Sequence, residues 1–148
     1  MSWFAVVAAG AIVAAACAIA LVVPRRFRLG VWTLVVFAAV VPWMGWTDHA
    51  HWDRIEWVPF ARFQRPRDIL LNLLLYVPVG WFVAEAEKPF RRTVAWAGTY
   101  GLILSAATEF TQVFSHGRFP TTSDVLVNTL GALAGAWIFS RVGRRARL

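Results

Sequence analysis

Five apolar stretches separated by arginine-rich segments limit what this chain can fold into. They cover residues 3–23, 29–46, 68–84, 93–114 and 124–140. The first is long enough to cross about 30 Å of hydrocarbon at about 1.5 Å per residue. Hydrophobic residues make up 59% of the chain, nine residues are Trp, and the mean hydropathy is +0.57. These properties predict an all-α integral membrane protein, a bundle of about five transmembrane helices.

The chain divides into three segments. Residues 1–47 hold two predicted spans, and 68–148 hold three spans and a basic tail. Residues 48–67 are too charged for hydrocarbon but rich in aromatic side chains, so we predict an extracytoplasmic interfacial loop. Thr93 and Asp124 are predicted to cap the fourth and fifth spans. Pro78 removes a backbone donor within the third span, so we expect a kink there.

The distribution of basic residues predicts the orientation. Of 15 Lys and Arg residues, two thirds fall on the side of the C-terminus when five spans are drawn. Because the more basic side faces the cytoplasm, the N-terminus is predicted outside and the C-terminus inside. The loops at 48–67 and 115–123 then lie outside. The net charge of +7 is explained by this topology, so we predict no nucleic-acid partner.

Polar side chains interrupt the last two predicted helices near the outer face. On the fourth helix Gln112 lies one turn beyond Glu109, and both continue a stripe of small residues. On the fifth helix, Gly131 and Gly135 form a similar stripe, which we predict to pack against the fourth helix. Arg118, in the connecting loop, is predicted to close over the acids with its planar guanidinium. The candidate outer-face polar site comprises Asp68, Asn72, Glu109, Gln112, Arg118, Asp124 and Asn128.

The third and fifth spans resemble each other. Asp68 and Asn72 open D-I-L-L-N-L-L-L, and Asp124 and Asn128 open D-V-L-V-N-T-L-G. Both spans cross in the same direction, so the pattern favours a parallel helical-hairpin repeat. Capping by Asp and interhelical packing by Asn explain the same residues without a duplication.

Two further features have structural interpretations. His49 and His51 lie between acids, but H-x-H does not align both rings on one helix face, and no second ligand pair is visible in the sequence. We predict a solvated loop, no metal and no cofactor. The single cysteine, Cys17, is predicted to be a small buried apolar residue.

Four motifs resemble the VanZ-like family over about residues 56–139. They are W-V-P-F at 57–60, D-I-L-L-N-L-L-L-Y-V-P-V-G-W at 68–81, E-F-T-Q-V-F at 109–114 and G-R-F-P-T-T-S-D-V-L-V-N-T-L-G-A-L-A-G at 117–135. The resemblance implies a small multi-pass helical bundle in the bacterial cell (inner or plasma) membrane. It also implies an envelope role linked to teicoplanin and glycopeptide susceptibility, but no particular reaction.

Three classes of function fit the polar site. A binding or interaction module would hold membrane lipids, a lipid-linked envelope precursor, a lipoglycopeptide or a protein partner. An envelope enzyme acting on a lipid headgroup would use Glu109 as general acid or base, Asp124 as its charged counterpart and Arg118 as the anion clamp. A proton-coupled carrier is the third class. The sequence leaves the ligand, catalysis and oligomeric state open.

Overall fold

The structure is a computed structural model that describes residues 3–40, 45–61, 65–86, 90–117 and 119–142. Within these ranges the regular structure is helical, without a named strand. The five α-helices are α1 Trp3–Val22, α2 Arg25–Val40, α3 Pro66–Ala86, α4 Phe90–Gln112 and α5 Thr122–Val142. A short 3₁₀ turn at Trp52–Arg54 lies in the long loop between α2 and α3. The all-helical prediction is confirmed, with one helix for each apolar stretch.

Two helix starts differ from the predicted caps. Helix α4 begins at Phe90, so Thr93 lies inside the helix, where it is only 1% exposed. Arg and Phe are compatible with helical geometry, and the helix therefore starts before the first capping residue. Helix α5 begins at Thr122, and the side-chain oxygen of Thr121 accepts the backbone N–H of Asp124 at 3.0 Å. Thr121 is thus the cap, and both predicted caps are wrong.

Helices α3 and α5 form the closest pair in the fold. They lie parallel, with Gly131 against Leu73 and Gly135 against Val77 along their contact. A Cβ atom at Gly131 would lie 3.2 Å from the Leu73 carbonyl carbon, and one at Gly135 would lie 2.8 Å from that of Val77. Only glycine allows this approach of two backbones.

The glycine stripe of α5 therefore faces α3, and the prediction that it packs against α4 is wrong. Helix α4 still contacts α5, because a Cβ at Gly101 would lie 2.6 Å from the Cβ of Ala132. Small residues cover two sides of α5, and sequence periodicity alone does not identify which neighbour each side meets. Helix α5 consequently lies between α3 and α4.

Helix α2 packs on the middle of α3 through buried aromatic side chains. Trp32 and Tyr76 are among the largest fully buried side chains. The indole N–H of Trp32 donates to the backbone oxygen of Leu75 at 3.0 Å. This carbonyl lies three residues before Pro78, which sits inside α3. The amide that Pro78 lacks would have bonded the Leu74 carbonyl, so this hydrogen bond links α2 to α3 beside the proline but does not replace the missing one.

An ion pair joins α2 and α3 at their opposite end from the long loop. Arg28 Nη1 lies 2.6 Å from Glu85 Oε1, with the side chains 14% and 9% exposed. Arg25 lies farther away, with its Nε 3.7 Å from the same oxygen. This inner ion pair, Arg28 with Glu85, was not predicted, since both residues lie in segments interpreted as turns.

Two helices, Pro66–Ala86 and Thr122–Val142, are long and apolar enough to cross a membrane by length and composition. They are the two helices that pair through glycine. Helix α1 packs along one side against α2 and α3. Cys17 on α1 is exposed rather than buried as predicted, because it lies on a helix that few other elements cover.

Candidate functional site

Glu109 connects the end of α4 to the start of α5. Its side chain lies in the last turn of α4, and the residue is 7% exposed. Oε1 accepts a hydrogen bond from Gln112 Nε2 at 2.8 Å, and Oε2 accepts one from the backbone N–H of Thr121 at 2.9 Å. Donors to both oxygens offset part of the cost of removing a carboxyl group from water.

Thr121 also organises the start of α5. Its hydroxyl accepts a hydrogen bond from the backbone N–H of Asp124 and so caps the helix. Oδ1 of Asp124 accepts a hydrogen bond from Asn72 Nδ2 on α3 at 2.8 Å. One residue of each predicted Asp–Asn pair thus meets across the parallel helices, because the Asn72 amide bonds the Asp124 carboxylate.

Asn128 extends the polar network one turn deeper. It is 4% exposed, and its Nδ2 donates to Ser105 Oγ at 2.9 Å. Among the described residues, no hydrogen-bond partner lies near its buried Oδ1. Thr108 donates to the Ser105 backbone oxygen at 2.8 Å, and its hydroxyl lies 3.1 Å from that of Tyr76. The network therefore joins α3, α4 and α5.

Five of the seven predicted site residues belong to this polar network: Asn72, Glu109, Gln112, Asp124 and Asn128. Asp68 does not contact them in the hydrogen bonds described, and instead accepts one from Arg67 Nε at 3.1 Å at the surface. Arg118 lies outside the described residues. Thr121 was missed as a member, although T-x-x-D before an apolar run is the signature of such a cap.

The long loop between α2 and α3 covers the polar network. The Thr47 and His51 amides donate to backbone oxygens of 114 and 113, both at 2.8 Å. Farther along, the Glu56 amide donates to the Pro120 oxygen at 2.9 Å, and the Thr122 amide donates to the Glu56 oxygen at 3.1 Å. The backbone at both ends of the α4–α5 connection is thus paired with this loop, a contact that no sequence motif indicated.

Titratable groups in the loop respond to one another. A hydrogen bond with His49 holds the pKa of Asp48 below its usual value. The pKa of His51 is lowered from 6.5, first by partial burial and then by the positive charge of Arg54. In the part of the chain that the structure describes, no three His, Cys, Asp or Glu side chains are grouped so as to hold a metal ion.

The fold and site define a helical protein with a buried polar network at one end of three packed helices. The chain belongs to the VanZ/LLP1 family, because a family model of that description matches residues 27–143. This confirms the resemblance and extends it beyond the predicted 56–139 to include α2. Together with the two apolar helices, membership indicates a membrane protein. No curated protein and no solved structure matches the chain.

Proposed function

We propose that this protein is a five-span protein of the bacterial cell membrane that binds a ligand of the envelope through its polar network. The ligand is a lipid-linked envelope precursor or a lipoglycopeptide, which would account for a link with teicoplanin susceptibility. The N-terminus lies outside and the C-terminus inside, so the network faces the outer surface. Family membership and the geometry around Glu109 support the proposal.

Exposed apolar side chains support five spans. Large apolar residues are at least 48% exposed on helices beyond the two apolar ones, including Val7 and Leu21 on α1, Leu34 on α2, and Leu102 and Ile103 on α4. Such surfaces on several helices of one small protein are unfavourable in water and favourable against lipid. The same expectation follows from the two-thirds share of basic residues on the predicted cytoplasmic side.

Glu109 is the observation that carries the proposal. Burying a carboxyl group near the end of a membrane helix costs free energy. Such groups belong to functional sites more often than to packing contacts. Here it is combined with the partnerless buried oxygen of Asn128, which leaves acceptor capacity inside the network. Inward of Ser105, the same face of α4 carries Gly101 and Ala97, which have no polar side-chain group. A polar site that extends through only part of the depth of the membrane favours a binding function over that of a proton-coupled carrier.

The enzyme alternative rests on the unlike environments of two acids. Glu109 is buried, whereas Asp124 is only partly buried and receives the amide of Asn72. Two carboxyl groups in different environments are what general acid and base chemistry requires. Release of a lipid headgroup by the purified protein, abolished by Glu109→Gln, would favour this alternative over binding.

Complementation of a deletion strain tests the proposal. Glu109→Gln keeps the size and one acceptor oxygen but removes the charge, and Arg118→Lys keeps the charge but removes the planar fork. We expect both variants to lose the envelope phenotype at unchanged protein abundance. Asp48→Asn, an acid on the exposed part of the loop, is the matched control and should complement. Full complementation by both site variants would refute a ligand role for the network.

A further inference from the structure

A cavity lies beside the long loop between α2 and α3, separate from the polar network. This cleft has a volume of about 780 Å³ and is lined by residues 53–58 with Ala61 and Phe119. Its size falls within the range of about 300–1,000 Å³ that small-molecule sites occupy. None of the described residues that line it belongs to the predicted polar site, so the cleft is a separate candidate site.

The cleft is built on a fixed backbone. One wall is paired with the start of α5 through the Glu56 and Thr122 hydrogen bonds, and the Thr122 hydroxyl lies 3.0 Å from the Trp57 carbonyl oxygen. Near the rim, Phe60 has a φ of 57°, which a bulky residue rarely adopts. Its amide donates to the buried Ser123 hydroxyl at 2.7 Å, which holds this conformation. Strain maintained in this way is concentrated at functional sites.

The lining combines flat aromatic surface with charges of both signs. Trp57 is 71% exposed and Phe119 is 42% exposed. The Arg54 guanidinium carbon lies 5.5 Å from the centre of the Phe119 ring. Asp53 is also exposed on the lining, close to Arg54 in sequence. Carboxylates accept hydrogen bonds and guanidinium donates them, while the aromatic rings offer apolar faces.

We propose that this cleft binds a sugar ring of an envelope glycan. The hydroxyl groups of a pyranose both donate to Asp53 and accept from Arg54, and its C–H face packs on Trp57. Among the described residues, the lining includes the exposed Asp53 carboxylate, which accepts hydrogen bonds from hydroxyl groups but repels a phosphate group. The sugar belongs either to a lipid-linked glycan in the membrane or to a soluble glycan. The proposal goes beyond binding at Glu109 and does not depend on it.

The test uses the full-length protein in lipid nanodiscs prepared without sugar-based detergents, which would occupy the cleft. Saturation-transfer NMR measures binding of maltose and of N,N′-diacetylchitobiose at about 5 mM, because a single shallow site gives affinities of about 1 mM. We expect transfer to at least one sugar. Trp57→Ala should weaken it about tenfold or more, as loss of an aromatic anchor does, and Asp53→Asn should also weaken it.

Trp52→Ala is the matched control. This Trp is in the same loop and similarly exposed but packs near Phe110, outside the cleft, so its loss should leave sugar binding intact. Absence of transfer in the parent, or equal loss in Trp52→Ala, would overturn the proposal. Displacement of the sugar by inorganic phosphate would overturn the sugar class. Competition by glucosyl diacylglycerol added to the nanodisc would identify a lipid-borne source, and binding without such competition a soluble one.

Discussion

Replacing Gly135 by Ala should separate the two helices at the centre of the fold. The added Cβ would lie 2.8 Å from the Val77 carbonyl carbon, closer still to its oxygen, and 3.0 Å from the backbone nitrogen of Trp81. Ordinary contact begins at 3.4 Å, so the overlap with the carbonyl carbon alone is 0.6 Å. The obstructing atoms are backbone atoms, which cannot rotate away as a flexible side chain would. Relief requires α3 and α5 to move apart along their whole contact.

The expected loss of stability combines two opposing effects. Overpacking of this kind costs about 3 kcal/mol, the upper part of the usual range, because the clash is with backbone. Replacing a helical Gly by Ala also stabilises the helix by about 1 kcal/mol, because Ala has the higher helix propensity. The net loss of about 2 kcal/mol corresponds to a fall in melting temperature of about 4–8 °C for a chain of this size. Thermal unfolding in detergent, followed by size-exclusion chromatography, measures it, and Gly135→Leu should also reduce accumulation.

Gly30→Ala provides the matched control. A Cβ at Gly30 in α2 would meet no atom of a neighbouring element within 4 Å. This variant is therefore stabilised by the higher helix propensity of Ala and suffers no clash. It should melt at or slightly above the parent. The reasoning is refuted if Gly135→Ala melts at the same temperature as Gly30→Ala, since the backbones would then not be in the described contact.

Three other predictions concern the two ends of the bundle. Arg28→Met removes half of the inner ion pair and should cost about 3 kcal/mol in detergent unfolding, whereas the exposed Arg26→Met should cost little. In a cysteine-free background, Gly117→Cys should react with an impermeant thiol reagent on intact cells and Ala86→Cys should not; the reverse pattern would invert the topology. The lowered pKa means that the fold favours neutral His51, so the contribution of this residue to loop docking is fully present above pH 6.5 and is lost as the pH falls through its lowered pKa. The protection factor of its amide against hydrogen exchange should therefore fall as the pH is lowered, and His51→Gln should abolish this effect.

The number and approximate positions of the helices were accessible from sequence, because hydropathy depends on composition over about 20 residues and tolerates local error. The starts of α4 and α5 were not accessible from sequence, because several residues near each start can cap a helix. The sequence does not show which of them the backbone uses. Both Thr121 and Asp124 can cap a helix. The backbone enters α5 at Thr122, and Asp124 is thereby left to meet Asn72. A boundary shift of two residues changed the interpretation of Asp124 from a capping residue to an interhelical contact.

Partners across the fold were the least accessible part. Periodicity places Gly131 and Gly135 on one helical face but does not say which neighbour that face meets. Likewise Arg28 was counted only as a basic residue in the orientation argument and Glu85 was given no role, because their pairing depends on how α2 and α3 cross. The cover formed by residues 45–61 rests on backbone hydrogen bonds, which carry almost no side-chain signature. Ser115, an apparent surface position in the loop, is buried beneath this cover.

The contact between Asn72 and Asp124 offers a way to separate structure from function. Asp124→Asn alone replaces a charge-assisted hydrogen bond by a neutral one and should cost about 1 kcal/mol. The double exchange, Asn72→Asp with Asp124→Asn, restores an amide opposite a carboxylate with the donor and acceptor reversed. The favourable position of an acid in the first turn of α5 is lost, which costs about 0.5 kcal/mol. The exchanged protein should therefore be more stable than the single variant and nearly as stable as the parent.

If Asp124 faces a ligand, the double exchange should abolish activity although it preserves stability. The carboxylate would then have moved from α5 to α3, out of the position set by the Thr121 cap and beside Glu109. We expect the double variant to accumulate and melt like the parent but to fail to complement the deletion strain. Complementation at the parent level would show that a hydrogen bond between the two helices is all that these residues provide. The polar site would then reduce to Glu109, Gln112 and Asn128, between α4 and α5.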